Sequence, residues 1–151
     1  MPRKPAHEQF DTLQALRNQA FGLFARHGYE GVSVGDIAKA TRLSKGALYW
    51  HFKGKAELYL DCLQRLHRLF GRYIFEPMAA TEDPVASVMY LFQGLEQLVG
   101  DPDIQHGVGG YWLIPDSPET APMREAQHRF EQDSAAIITR ALRQGVEQQR
   151  F

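Results

Sequence analysis

The sequence predicts an all-helical protein. Three observations carry that expectation. Apolar residues recur three and four positions apart along most of the 151 residues, no run alternates with period two, and cap residues bracket the periodic stretches. With 44% apolar and 23% charged residues the chain can bury a core. Its length fits one domain and is too short for two large ones.

Each element has its own warrant. Phe10, Leu13, Leu16, Ala20, Phe21 and Phe24 share a helical face, and Gly28 supplies the left-handed stop. Ser33 and Asp36 form a capping box that opens a short helix over 34–41. Ser44 caps a third helix over 45–52, and Lys53-Gly54 breaks it. A longer helix starts at Lys55, with Leu58, Cys62, Leu66, Leu69 and Tyr73 on its buried stripe and Pro77 at its end. Asp83-Pro84 places a cap before a proline at the first helical position. Val85, Val88, Met89, Phe92, Leu95 and Val99 make that helix's apolar face, and Gly100 ends it. Asp101-Pro102 starts a weaker helix loosened by Gly107, Gly109 and Gly110. Pro122 opens a last long helix striped by Met123, Phe130, Ile137, Ile138, Ala141, Leu142 and Val146.

Composition excludes several classes. The single cysteine, Cys62, excludes an intrachain disulfide and a cysteine-rich zinc site. Residues 1–7 are polar and basic without the apolar core of a secretory leader. The longest stretches without formal charge, 84–95 and 104–115, are too short to span a bilayer, so no membrane partner and a cytoplasmic location are expected. No Gly-x-Ser-x-Gly, His-Glu-x-x-His or Cys/His pair at ligand spacing occurs, so neither an enzyme nor a metal or other cofactor is expected. The formal net charge of −1 hides an asymmetry: residues 1–70 hold eleven basic and six acidic side chains, and residues 71–151 hold six and twelve. A basic front half points to a polyanion, although chance clustering of solvated charges gives the same pattern.

Residues 33–55 concentrate the chemistry. Two short helices joined by Thr41-Arg42-Leu43 have helix-turn-helix spacing, with Ile37, Ala38, Leu43, Ala47 and Leu48 as the apolar hinge. Around it stand Lys39, Arg42, Lys45, Lys53 and Lys55 against one acid, Asp36. Lys45 and Lys55 occupy first helical turns, where the macrodipole disfavours a cation by roughly 0.3–1 kcal/mol. That placement makes sense if an anion is held there; the alternative is a tolerated, solvated lysine. Tyr49 has a hydroxyl suited to phosphate. His51 reads equally as a phosphate or base contact and as a surface or capping histidine. Phe52 and part of Trp50 read as packing. Gly46 reads either as room for a close DNA backbone or as a packing constraint.

The run Ser33-Val-Gly-Asp-Ile-Ala-Lys-Ala-Thr-Arg-Leu-Ser-Lys-Gly-Ala-Leu-Tyr-Trp-His-Phe-Lys-Gly-Lys-Ala-Glu-Leu58 resembles the DNA-binding segment of TetR-family transcriptional repressors. Gly46-Ala-Leu-Tyr-Trp-His-Phe52 is most similar to the AcrR-like regulators of multidrug efflux. The resemblance covers roughly residues 10–65. It implies a three-helix helix-turn-helix domain over 1–54 and a helical ligand-binding and dimerisation domain over 55–151. It also implies a homodimer that binds double-stranded DNA at a palindromic operator and is released by a small hydrophobic inducer. By position, Ser33, Tyr49 and Lys55 would contact phosphate, and Ser44, Lys45, Gly46 and His51 would face the groove.

Two departures stand out. The family usually has glycine where this chain has Arg42: either a phosphate contact offsets the strain of a left-handed arginine, or the turn is reshaped. The family also has two further long helices beyond the one ending near Phe151. The final Gln-Gly-Val-Glu-Gln-Gln-Arg-Phe carries no cap signal, so a shortened ligand domain and a weakened dimer are expected. Aromatic and methionine side chains in the back half are candidates to line a ligand cavity: Phe70, Tyr73, Met89, Phe92, Tyr111, Trp112 and Phe130. The alternative from a different class is a small-molecule-binding or protein-interaction module without productive DNA binding.

Overall fold

The computed structural model describes residues 6–151, so residues 1–5 of the polar leading stretch lie outside the described residues. The observed elements are α1 (Ala6–His27), α2 (Val34–Thr41), α3 (Lys45–His51), α4 (Lys55–Phe70), a π-helical turn (Gly71–Phe75), α5 (Glu76–Ala80) and α6 (Pro84–Val99). Two 3-10 turns (Pro102–Ile104 and Gly109–Trp112) and α7 (Ala121–Glu147) complete the series. Among the described residues no strand forms. The chain makes two compact units: the chain up to Leu63 with His106–Met123, and Gln64–Gln105 with Arg124–Phe151.

The first unit is built on α1. Leu16, Ala20, Phe21 and Phe24 are buried as their spacing requires, and Gly28 ends the helix at φ 72°. Phe10 departs from the expected stripe: it is 65% exposed, because it lies more than a turn before Leu16, the first residue of the stripe to be buried. Arg17 forks onto Asp61 of α4 at 3.0 and 3.1 Å, joining two helices far apart in sequence. The Gly109–Trp112 turn is part of this unit. Tyr111 is fully buried, donates its hydroxyl to the Phe21 carbonyl at 2.9 Å, and packs on Phe21 and Tyr59. Tyr59 donates in turn to the Gly110 carbonyl at 3.2 Å. A Cβ on Gly110 would fall 2.7 Å from the Gly28 nitrogen and 2.8 Å from the Ala25 oxygen, so only glycine fits this close approach.

The second unit departs from the expected pattern at several places. Pro77 does not end the helix. The helical run continues from Lys55 to Ala80, because the π-helical turn slips the bonding register and Pro77 falls in the first turn of α5, where its missing N–H costs little. The weak helix after Asp101 is only the 3-10 turn Pro102–Ile104, capped by Asp101 and followed by Gly107 at φ 76°. The apolar face of α6 exists, but Met89, Phe92, Leu95 and Val99 are exposed; the helix instead buries Pro84, Ser87, Gly94 and Leu98. Gly94 decides that orientation. The carbonyl of Tyr73 and the side chain of Ile74 lie so close that a Cβ would overlap them. Arg65 forks onto Asp103, and Tyr73 donates to Asp101 at 2.7 Å. In α7, Met123 and Ala141 are buried, whereas Leu142 and Val146 are exposed. The α7 end does carry a cap: Gln149 turns left-handed at φ 52° and the Arg150 N–H reaches the Gly145 carbonyl at 2.8 Å.

Candidate nucleic-acid interface

Two caps fix the local geometry of residues 33–52. The Ser33 hydroxyl accepts the Asp36 N–H at 3.0 Å and Asp36 accepts the Ser33 N–H at 2.8 Å, which completes the capping box. That bond from the Ser33 backbone, more than any neighbouring charge, holds the Asp36 carboxyl below the usual carboxylate range. Ser44 accepts the Ala47 N–H at 3.1 Å and so opens α3. Between the helices Arg42 is left-handed, at φ 56° and ψ 28°. The Leu43 N–H bonds back to the Ala38 carbonyl at 3.1 Å, closing a tight C-terminal cap. A non-glycine residue there carries roughly 1–2 kcal/mol of strain. Ile37, Ala38 and Leu48 are buried, and Leu43 and Ala47 are not, Leu43 being half-buried or less; the hinge closes on the first three.

Burial of Leu48 and Phe52 turns the other side of α3 outward. Lys45 and Gly46 are exposed, Tyr49 is 50% exposed, and Trp50 is 74% exposed. The packing role expected for part of Trp50 is therefore corrected, since a residue two positions from Leu48 cannot share its inward face. Gly46 has no internal reason to be glycine: a Cβ there would meet only the Ser44 Oγ, at 3.9 Å. The Lys45 side chain runs past Gly35. A Cβ at that glycine would lie 3.9 Å from the Lys45 ammonium and 3.5 Å from the Ser33 Oγ. Ser33 and Lys45 are thus gathered at the opening turns of α2 and α3. Arg42 lies on the surface of the turn and His51 is half-buried at the α3 C-terminus.

Lys55 is placed differently. It is half-buried, its ammonium donates to the Tyr29 carbonyl at 2.9 Å, and it lies 4.1 Å from the centre of the Tyr29 ring. The Tyr29 hydroxyl is buried beside the Glu119 carboxylate. Burial, with the Glu119 carboxylate nearby, pushes its pKa well up.

The ligand candidates are divided between the two units. In the second unit Phe130 meets Phe70 and Phe75 edge-on at 6.0 and 5.8 Å and stacks on His67 at 4.1 Å. Tyr73 is half-buried and tied to Asp101. Met89 and Phe92 are exposed on α6. Tyr111 and Trp112 belong to the first unit, Tyr111 in its core and Trp112 half-exposed. Sequence reasoning did not single out His67, whose Nε2–H donates to Gln127 at 2.9 Å while Gln127 donates to Glu131 at 2.8 Å. Burial lowers its pKa. Among the described residues no group of three or more His, Cys, Asp or Glu is placed to hold a metal, and no helix is long and apolar enough to cross a membrane.

Residues 16–62 match the family described as bacterial regulatory proteins, tetR family. Over those residues the chain carries a TetR-family N-terminal domain. The AcrR transcriptional regulator of Shigella flexneri is 42% identical over 89 residues, 59% of this chain and 41% of AcrR. LmrA of Bacillus subtilis, a helix-turn-helix-type transcriptional regulator by name, is 28% identical over 136 residues, 89% of this chain and 72% of LmrA. The fold is shared with PfmR of Thermus thermophilus, a TetR-family transcriptional regulator (TM-score 0.68, 29% identity, 90% of this chain and 72% of PfmR). It is shared too with SmeT, solved as a triclosan complex (TM-score 0.67, 22% identity, 91% of this chain and 66% of SmeT). The chain thus spans about two-fifths of AcrR and about seven-tenths of LmrA.

Proposed function

We propose that this chain is a TetR-family DNA-binding transcriptional repressor that lays α3 in the major groove. The observation that carries the reading is the outward face of α3, where Lys45, Tyr49 and Trp50 surround a glycine that nothing in the protein requires. Ser33, Tyr49 and Lys55 contact phosphate. Ser44, Lys45, Gly46 and His51 face the groove, and Arg42 and Trp50 reach its flanks. Gly46 lets the DNA backbone approach where a side chain would hold it off. Phosphate contacts fix register, and side chains at the base edges read sequence. In this reading residues 1–54 carry DNA contact and residues 55–151 carry ligand response and dimerisation. That is a division of labour: the compact units divide the chain elsewhere.

A palindromic operator needs two copies with their reading helices about 34–36 Å apart. The exposed apolar faces of α6 and α7 are surface that such a homodimer has to cover. A small hydrophobic inducer, lodged near Phe70, Tyr73 and Phe130, favours a separation that no longer matches the groove and releases the DNA. The triclosan complex of SmeT supports a hydrophobic ligand on this fold. Footprinting on the DNA flanking the chain's own gene tests the reading. Two protected half-sites about one helical turn apart are expected; no protection counts against it. The exposed Phe92, Val99, Leu142 and Val146 also favour the second reading, an interaction module without productive DNA binding. A monomer in sedimentation that leaves no footprint selects that reading.

A further inference from the structure

Lys55 has an unusual seat. One residue, Tyr29, supplies both a carbonyl that accepts a hydrogen bond at 2.9 Å and a ring face at 4.1 Å from the ammonium. Tyr29 is itself held, buried and edge-on to Tyr59 at 5.3 Å. Lys55 opens α4, where the macrodipole repels a cation, so the carbonyl and the ring quadrupole offset a local penalty. A free lysine loses much rotamer freedom when it grips a phosphate. Here that freedom is already restricted before DNA arrives, and an ammonium proton remains to be donated.

We propose that Tyr29 is the positioning residue for the Lys55–phosphate contact, setting the ammonium in place through its carbonyl and ring face. The proposal rests on the reading of Lys55 as a phosphate contact. The phenol hydroxyl plays no part, since the lysine bonds the Tyr29 carbonyl and faces its ring.

A double-mutant cycle on the full chain, read by fluorescence anisotropy with the footprinted DNA, separates the two ideas. Lys55→Met is expected to weaken binding about tenfold or more and to lower the salt slope by about 0.9 per protomer. Tyr29→Phe should bind within about twofold of the parent. Tyr29→Leu should weaken binding about three- to tenfold and should have no further effect once Lys55 is Met. An equal loss in both backgrounds overturns the positioning role. An unchanged affinity and salt slope in Lys55→Met overturns the phosphate reading itself. If Tyr29→Leu does not fold, graded fluorination of a phenylalanine at position 29 replaces it. Affinity should then fall stepwise with fluorine number only while Lys55 is present, and a flat series overturns the proposal.

Discussion

Two apolar stretches with equally good helical spacing meet opposite fates. In the first unit the α1 stripe Leu16, Ala20, Phe21 and Phe24 disappears into a core closed by Tyr59 and Tyr111. In the second unit the α6 stripe stays in solvent, with Phe92 63% and Val99 75% exposed. Periodicity says that a helix has an apolar face. It does not say which face the nearest backbone accepts. On α6 the contact is set by Gly94, the position where the Tyr73 carbonyl comes close.

The sharpest way to break that contrast is to truncate one residue of each kind. Tyr111→Ala should destabilise the first unit by about 3–5 kcal/mol in urea melts. In the monomer, at a dilution that separates any homodimer, Phe92→Ala should stay within about 0.5 kcal/mol. Equal losses would mean that the α6 face is covered in solution.

Glycines sharpen the comparison next. Gly110→Ala should cost about 1–3 kcal/mol, because its methyl group meets backbone on three sides. Gly46→Ala should leave stability unchanged or raise it by up to about 1 kcal/mol, yet weaken DNA binding. Loss of stability at Gly46 would return it to a packing role.

A smaller effect is expected at the turn. Arg42→Gly relieves left-handed strain and should stabilise the chain by about 1 kcal/mol. A rise of about 2–4 °C in Tm checks this, and weaker DNA binding in the same variant would locate the contact that offsets the strain.

The smallest effect is a pH dependence belonging to the second unit. Burial keeps His67 neutral to a lower pH than in the unfolded chain. Below the unfolded value of about 6.5 the unfolded chain takes up its proton first. Stability is therefore full above that value and falls as pH drops towards the folded pKa. Urea midpoints between about pH 7 and about pH 5.5 should decline, and His67→Asn should flatten the decline.

How much of this was legible depends on range. Ser33, Asp36, Ser44, Asp83 and Asp101 act as caps where the sequence puts them, because a cap needs partners only two or three residues away. The helix-turn-helix followed for the same reason. Trp50 was also within reach: with Leu48 and Phe52 turned inward, position 50 must face out. The seat of Lys55 was not, since Tyr29 lies 26 residues away and its carbonyl carries no residue signature. Nor was the place of Tyr111, which belongs by sequence to the back half and by packing to the unit that carries α3. Contacts between distant segments depend on the route of the chain, and helical period does not encode that route.

The outward face of α3 is the central claim, and the salt dependence of DNA binding tests it most directly. Anisotropy titrations of the full chain against the DNA flanking its gene should show log K falling linearly with log salt concentration, steeply enough for several phosphate contacts. Lys45→Ala should make that line shallower by about 0.9 per protomer. Binding that ignores salt, or a Lys45→Ala line parallel to the parent, would contradict the account.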